Sequence, residues 1–545
     1  MNGVKIKTSP TSRTALVVFA TGAVFITWSL LSVPIPGVNE PHYFTKARNF
    51  AAPHWCREDF FLQSANAHAV FFALVGPVAN VLSFSATALL GRILSLWLLA
   101  AGWVHLGRRI GLSNFSVLCA ACLYCLIAAS GNFSGEWVIG GFESKVPAYG
   151  FALLAVTYWL DGFRTLQKRP YLISGSMAGL AVSLHPVVGL WFCLAMAMCE
   201  VCLCRTKREA LADSVAVASA AHRLTLRTFV VNSSCFVATS ILFALPGLIP
   251  ALQLVINSDV DQATQDTANY IQIFWRLAHH LDPSTFPAYA WKHTAVLCLT
   301  AATVLYGERW LGRRQNASAS TNWLPLVCLV LAAAVIACVG IVIGWHSGEA
   351  KDLPDWKWRA SLLRFYPFRM FDALLPMLTA FAVAATISRF VLHRKAKLAV
   401  VSVAVLAMCV VGLNVRPSAP SAYSSKSFAE WKVACQWLSE NTAEDCLIWG
   451  PRESFGLKWF ANRAEYICFK DCPQDAAGIV EWNRRLWTIF HWSEAAYSDE
   501  MFDNSDLRAL RKLTNVDYVM TRQLGPFESE PVYQNSIWRI YEVPQ

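Results

Sequence analysis

Long apolar runs, broken by short polar stretches, set the pattern of this chain. Read against the roughly 18 residues needed to cross a hydrocarbon core, they predict eleven spans. These fall at residues 14–33, 84–107, 113–131, 146–163, 171–184, 187–204, 228–250, 290–307, 322–345, 367–390 and 397–414. The fifth and sixth are short and meet at His185-Pro186, which leaves two short crossings or one broken helix open. Residues 66–80 (NAHAVFFALVGPVAN) are apolar but interrupted by Pro77, and fit a helix lying on the membrane surface. The expected fold class is a polytopic α-helical membrane protein.

Beyond about Val415 the pattern changes. Pro417-Ser418-Ala419-Pro420-Ser421 signals a linker. Amphipathic helical stretches (SFAEWKVACQWLSENT, ESFGLKWFANR, AAGIVEWNRRLWTIFHWSEAAY, DLRALRKLT) then alternate with short strand-like ones (CLIWG, AEYICFK, VDYVMTR), and PVYQNS with IWRIYEVP reads as a terminal hairpin. Strand–helix alternation predicts a small α/β domain with a largely parallel sheet. CLIWGPRES lacks the glycines of a phosphate loop. The expected division is a transmembrane domain over 1–414, with outward loops at 34–83, 131–145, 251–289 and 346–366, and a soluble α/β domain over 415–545.

Composition sharpens this. Hydrophobic residues make up 55% of the 545 and charged ones only 15%, against about 25% charged in soluble domains. The net charge of +10 need not mean nucleic acid, and no nucleic-acid partner is expected, because the cations fall in alternate loops. One set holds Lys5, Lys7 and Arg13, then Arg108 and Arg109, Arg164 to Arg169, Arg205 to Arg227, Arg309 to Arg314 and Arg394 to Lys397. The other set carries the acids: Glu40, Glu58 and Asp59, Glu136 and Glu143, Asp259 to Asp282, and Glu349 to Asp355. The positive-inside rule then places the N-terminus in the cytoplasm, with an uncleaved signal anchor, and the tail outside. Most of the 17 cysteines lie in apolar runs and behave as small hydrophobes. Cys468 with Cys472, and Cys435 with Cys446, are either disulfide partners or free buried thiols.

The outward loops carry the candidate chemistry. Glu40, between Pro36 and Pro41 just after the first span, is either a solvated loop carboxylate or a general base at the bilayer edge. Glu143 and Lys145 in GGFESK sit where the second loop meets a span, as an anchoring ion pair or as site residues. Arg364 and Arg369 in RFYPFRMFDALL either snorkel or clamp a phosphate. His42, His279 and His280 can hydrogen-bond a substrate, although adjacent histidines lack the spacing of a helical metal pair. His185 reads as a helix-break histidine, and Asp372, inside a span, as facing protein or water.

With those residues in view, the layout resembles GT-C-type membrane glycosyltransferases. A first span precedes a long outward loop bearing an acid, a second acidic outward loop follows, and an outward α/β domain ends the chain. NEPHY, GEWVIGGFESK and LRFYPFRMFDALLP are similar to segments of a bacterial membrane-protein family near that superfamily. The resemblance implies an inverting enzyme of the bacterial cytoplasmic (inner) membrane. It would move a sugar from a polyprenyl-phosphate donor in the bilayer to a glycan, lipid or protein acceptor. Glu40 matches the first-loop acid that activates the acceptor hydroxyl. Glu143, or less closely Glu136, matches the second-loop acid, and Arg364 and Arg369 match phosphate-binding cations by location. His42, Lys145, His279 and His280 fall with them as substrate- or phosphate-binding groups. The paired-acid signature of many members is missing, since Asn39 precedes Glu40, so a divalent metal stays open as a cofactor. Two other readings stand beside this one. A transporter or flippase of a lipid-linked or anionic substrate would carry mid-bilayer charges and internal repeats. A non-catalytic scaffold of the same layout would use its outward domain to contact a partner, and the lone Glu40, without a paired acid, fits that reading too.

Overall fold

The computed structural model describes residues 10–212, 218–256, 260–314 and 321–545. The basic segment at 1–9, Asp259, and the side chains at 205–227 and 311–320, which hold several of the cations counted above, lie outside the described residues. The chain forms two compact units. One comprises Met1–Ser32, Leu90–Ile249 and Ile273–Arg416, the other Val33–Leu89, Pro250–Gln272 and Pro417–Gln545.

A helix stands at each of the eleven predicted spans: Pro10–Ser32, Phe84–Arg109, Asn114–Ala128, Lys145–Thr165, Lys168–Leu184, Pro186–Ala212, Ala218–Ile256, Ala288–Arg314, Leu324–Gly344, Arg369–Phe390 and Arg394–Val415. Among the described residues, seven helices are long and apolar enough to cross a membrane, which makes this a multi-pass membrane protein. Lys168–Leu184 and Pro186–Ala212 are separate helices. His185 between them is extended, as expected of a residue before proline.

Within the first unit the packing is close because small residues line the contacts. Leu324–Gly344 exposes Leu331, Val335, Val339 and Val342 as one apolar stripe. Its other face carries Gly340 and Gly344, where a Cβ would lie 2.5 Å from Pro367 and from Pro283 respectively. Such small-residue faces let helices approach when lipid removes the usual hydrophobic drive. Arg369–Phe390 is the most enclosed of the candidate spans, with Phe381 4.3 Å from the Trp103 ring.

The second unit is built on a five-stranded sheet: β1 (Leu447–Trp449), β2 (Ala464–Glu465), β3 (Tyr518–Thr521), β4 (Tyr533–Gln534) and β5 (Arg539–Glu542). The order is β2-β1-β3-β5-β4. The first three strands are parallel, and the terminal hairpin joins antiparallel. Side chains alternate between two cores, as a sheet covered on both faces requires. Ile448, Met520 and Ile540 pack with Trp431 and Trp538 on one face. Leu447, Trp449 and Val519 pack with Trp482 and Trp492 on the other, and that second core also takes in Phe61, Leu62, Ala268 and Ile271. The compact unit around the sheet therefore draws on more of the chain than 415–545.

Two helices of this unit precede the sheet by hundreds of residues. The sequence predicts loop over residues 40–51, but the segment is the helix Glu40–Ala51: Pro41 in its first turn starts it, and Phe44 and Ala47 give it a buried face. Ala69–Val81 packs against it at Gly76, where a Cβ would meet the Ala47 carbonyl at 2.3 Å.

Candidate functional site

In the first unit the polar residues converge on Glu136. Its Oε2 lies 3.0 Å from Arg369 Nε and 3.4 Å from Lys145 Nζ, and its Oε1 accepts a hydrogen bond from the Tyr149 hydroxyl at 3.2 Å. Lys145 also lies 3.6 Å from Glu143 Oε2 and 4.0 Å above the Trp137 ring. Both cations begin helices, Lys145–Thr165 and Arg369–Phe390, where the helix dipole disfavours positive charge. Two carboxylates against two cations offset that cost and leave this group of four near neutrality. All but Arg369 are almost fully buried. Arg369 Nη1 also donates to His185 Nε2 at 3.1 Å, and its guanidinium covers the Tyr366 ring at 4.1 Å.

The backbone that presents Glu136 is tied down by Asp372. Asp372 Oδ1 accepts from the Phe133 N–H at 2.6 Å. Its Oδ2 accepts from the Ser134 N–H at 2.7 Å, the Ser134 hydroxyl at 2.8 Å and the Glu136 N–H at 3.2 Å. Gly135 completes the turn at φ +71, with its α-carbon turned toward the His280 ring. His280 Nδ1 lies 2.5 Å from the Ser134 carbonyl. Burial, with the neighbouring His279 and Arg369, pulls the His280 basicity down to about 3. The ring is neutral at ordinary pH and donates through Nδ1. His279 lies against it, ring centroids 4.0 Å apart.

Arg364 differs from the other cations. It caps the C-terminal end of Trp356–Leu363, a position that favours positive charge. Its guanidinium lies 5.1 Å from the Phe365 ring centre. Among the described residues it has no carboxylate in ion-pair range, and its Nε is buried without an acceptor. Burial lowers its pKa, but a guanidinium remains charged. Arg92, 1% exposed inside a span, points its Nη1 toward the Ser29 carbonyl at 3.4 Å, and the Ser29 hydroxyl donates to the Gly140 carbonyl.

In the second unit Glu40 opens its helix and is fully buried; its Oε2 accepts from the Gly37 N–H at 2.6 Å. His42, two residues on, pairs through Nδ1 with Asp471 Oδ1 at 2.9 Å. Asp471 belongs to a buried charge cluster around Lys458, whose Nζ lies 2.6 Å from Asp471, 3.1 Å from Asp59 and 3.4 Å from Glu465. Burial opposes charge on Lys458, but the three carboxylates more than offset it and hold the ammonium. Burial likewise works against ionised Asp471, yet Lys458 and the His42 hydrogen bond bring its pKa well below the usual range. Glu465 takes the remaining penalty of burial and is pushed up to about 7. Lys46, pulled down to about 7 by burial, is held by the carbonyls of Phe61, Leu62 and Ser64 at 2.6 to 2.9 Å.

Glu465, Cys468 and Asp471 bring metal-ligating atoms within 4.8 Å of one another. The Lys458 ammonium already bonds both carboxylates, and burial keeps the Cys468 thiol protonated. The residues fit an ammonium better than a divalent ion. Cys435, Cys446, Cys468 and Cys472 are all buried, and none forms a disulfide among the described residues.

A family model described as a domain of unknown function (DUF6798) matches residues 429–489, a stretch that contains Lys458, Glu465 and Asp471. No curated protein matches the chain in sequence. Solved structures similar to it include three sugar-transfer enzymes. The oligosaccharyltransferase AglB from Archaeoglobus fulgidus, in complex with an inhibitory peptide and a dolichol-phosphate, is 13% identical at a TM-score of 0.45, over 94% of this chain and 69% of that one. ArnT from Cupriavidus metallidurans, bound to undecaprenyl phosphate, is 11% identical at 0.36 over 98% of both chains. The arabinosyltransferase EmbB from Mycobacterium smegmatis is 13% identical at 0.39, over 71% of this chain but only 32% of its own length.

Of the residues singled out from sequence, Glu143, Lys145, Arg369 and His185 fall into one connected group with Glu136, and His280 supports the loop that carries it. Glu40 and His42 lie on one helix of the other unit. Sequence reading passed over Arg92, Tyr149, Lys46 and Lys458. A lone arginine deep in an apolar run was the available signal for Arg92. Lys46 and Lys458 sit in stretches whose polarity suggests a wet surface, and nothing nearby in sequence marks them as buried.

Proposed function

We propose that this protein is a membrane glycosyltransferase of the GT-C type. It spans the bacterial cytoplasmic membrane eleven times, with the N-terminus inside and the C-terminal α/β domain outside. It transfers a sugar from a polyprenyl-phosphate donor to an extracytoplasmic glycan, lipid or protein acceptor, with inversion. The observation that carries this reading is Arg364. It is a guanidinium without a carboxylate partner among the described residues, five residues before Arg369, whose own charge Glu136 offsets. Arg364 is therefore a cation of this stretch whose charge no carboxylate in ion-pair range offsets, and it suits an anionic phosphate. Cations set against a departing phosphate stabilise the charge that develops as the anomeric C–O bond breaks.

In this reading the acceptor oxygen attacks the anomeric carbon and its proton passes to Glu40. The sugar–phosphate bond breaks, and the electron pair leaves with the lipid phosphate, which Arg364, Arg369 and Lys145 receive. Glu143 and Glu136 hold Lys145 in place. His42, oriented by Asp471, hydrogen-bonds the acceptor. No step draws on a metal.

The test is incubation of the purified protein with a panel of undecaprenyl-phosphate sugars, following release of undecaprenyl phosphate. Glu40→Gln is expected to abolish transfer while keeping the elution profile of the folded protein. Turnover by Glu40→Gln at the wild-type rate removes Glu40 as base. Failure of every donor to react or bind overturns the whole reading.

A further inference from the structure

The Glu136-centred group raises a question of order. Its members come from a polar loop and from two helices far apart in sequence, yet its distances are short. Something must hold the loop, because Glu136 itself lies in irregular backbone, which moves easily unless tied. The answer lies in the first turn of Arg369–Phe390. Asp372 accepts four hydrogen bonds, all from Phe133, Ser134 and Glu136. Three come from backbone N–H groups, so the carboxylate fixes the course of the chain and not merely one side chain. Asp372 also stands three residues after Arg369, one turn along the same face of the helix. A single helical turn therefore supplies the cation and the clamp for the loop that carries that cation's partner.

The opposite side of the loop is closed independently. His280, neutral, meets the Ser134 carbonyl, and its ring fills the space that a side chain on Gly135 would need. Phe133 is wedged among Phe286, Trp291 and Phe368, ring centroids 4.7 to 5.9 Å away. The Glu136 N–H that Asp372 holds is two bonds from the side chain that contacts Arg369 and Lys145.

We infer that Asp372 is a positioning residue: it sets the place of Glu136 and so the spacing of the Lys145 and Arg369 cations. Asp372 acts through the loop, since its four hydrogen bonds all go there. Its effect on sugar transfer rests on the function proposed above, whereas its effect on the loop does not.

Two measurements on the full-length protein separate these. The first is amide hydrogen exchange over residues 131–137 in wild type, Asp372→Asn and Ser134→Ala. Asparagine keeps one acceptor oxygen but turns an NH2 toward donors, and Ser134→Ala removes one donor of the four. Hydrogen bonds to a charged acceptor are stronger than neutral ones. Exchange is therefore expected to rise at least about tenfold in Asp372→Asn and about two- to threefold in Ser134→Ala. The second is donor kinetics with an undecaprenyl-phosphate sugar. Asp372→Asn is expected to lower kcat about tenfold with KM within about twofold, the signature of an interaction made in the transition state. Unchanged exchange in folded Asp372→Asn, or in Ser134→Ala should the first variant fail to fold, overturns the inference. So does a rise in KM with kcat unaltered. A wild-type protein that neither binds nor turns over any such donor defeats the function and leaves the exchange result to decide Asp372.

Discussion

Lys458→Met tests the charge cluster of the sheet-bearing unit. The side chain is 3% exposed, and methionine occupies a similar volume, so packing changes little and the ammonium is lost. Three carboxylates then lose their shared cation. Asp59 keeps the Leu62 and Glu465 N–H groups, and Asp471 keeps His42. Glu465 keeps the Ser454 hydroxyl and can also take a proton. Removing one partner of a buried ion pair costs about 3–5 kcal/mol. For a unit of about 200 residues, each kcal/mol moves the melting temperature by about 2–4 °C, so the expected drop is about 6–20 °C. Tryptophan fluorescence on heating in detergent at pH 8 reads it, because Trp449, Trp459 and Trp482 all belong to this unit. The drop should be smaller at pH 6, where Glu465 is largely protonated in the folded state and fewer charges are stranded. A drop under about 2 °C at pH 8, or one independent of pH, refutes the reasoning.

Two further outcomes follow from the geometry. Glu465 has a folded pKa near 7 against an ordinary 4.5, so the folded state binds more protons between those values. Its contribution therefore falls as pH rises from about 4.5 through about 7, by up to about 3 kcal/mol at 1.36 kcal/mol per pH unit. Glu465→Gln should flatten melting temperature against pH over 5–8, and parallel curves for the two proteins would contradict the assignment. Gly135→Ala places a Cβ 2.8 Å from the His280 ring at φ +71 and should cost about 1–2 kcal/mol from the backbone conformation alone. The loss should appear as faster exchange over 131–137, and removing the ring with His280→Ala should recover part of it. Wild-type exchange in Gly135→Ala would show the turn to be unstrained.

The helices and strands were legible in the sequence because periodicity is local. A run of about twenty apolar residues declares a span, and the alternation in VDYVMTR declares a strand. The helix Glu40–Ala51 was not legible: Glu40, His42, Lys46 and Arg48 gave it the polarity of a loop. Its buried face became visible only once Gly76 and Trp459 were packed against it. The site was legible in part. Glu143, Lys145 and Arg369 declare themselves by their places at span ends. The resemblance favours Glu143 over Glu136, yet Glu136 touches both cations. The pairing of Asp372 with Phe133–Glu136 joins residues more than 230 positions apart, and no spacing within either segment announces it. Lys458 was hidden for the same reason, since one of its carboxylates, Asp59, comes from a distant part of the chain.

The sheet-bearing unit is stitched from three stretches of polypeptide, and one of the three carboxylates on Lys458 of the last, Asp59, comes from the first. During synthesis, residues 33–89 emerge hundreds of positions before the strands they will cover. Until the ribosome finishes the tail, Asp59 has no ammonium to meet, and Phe61 and Leu62 have no sheet to cover. A tail released without its early segments would keep Glu465 and Asp471 on Lys458 but lack the third carboxylate, Asp59.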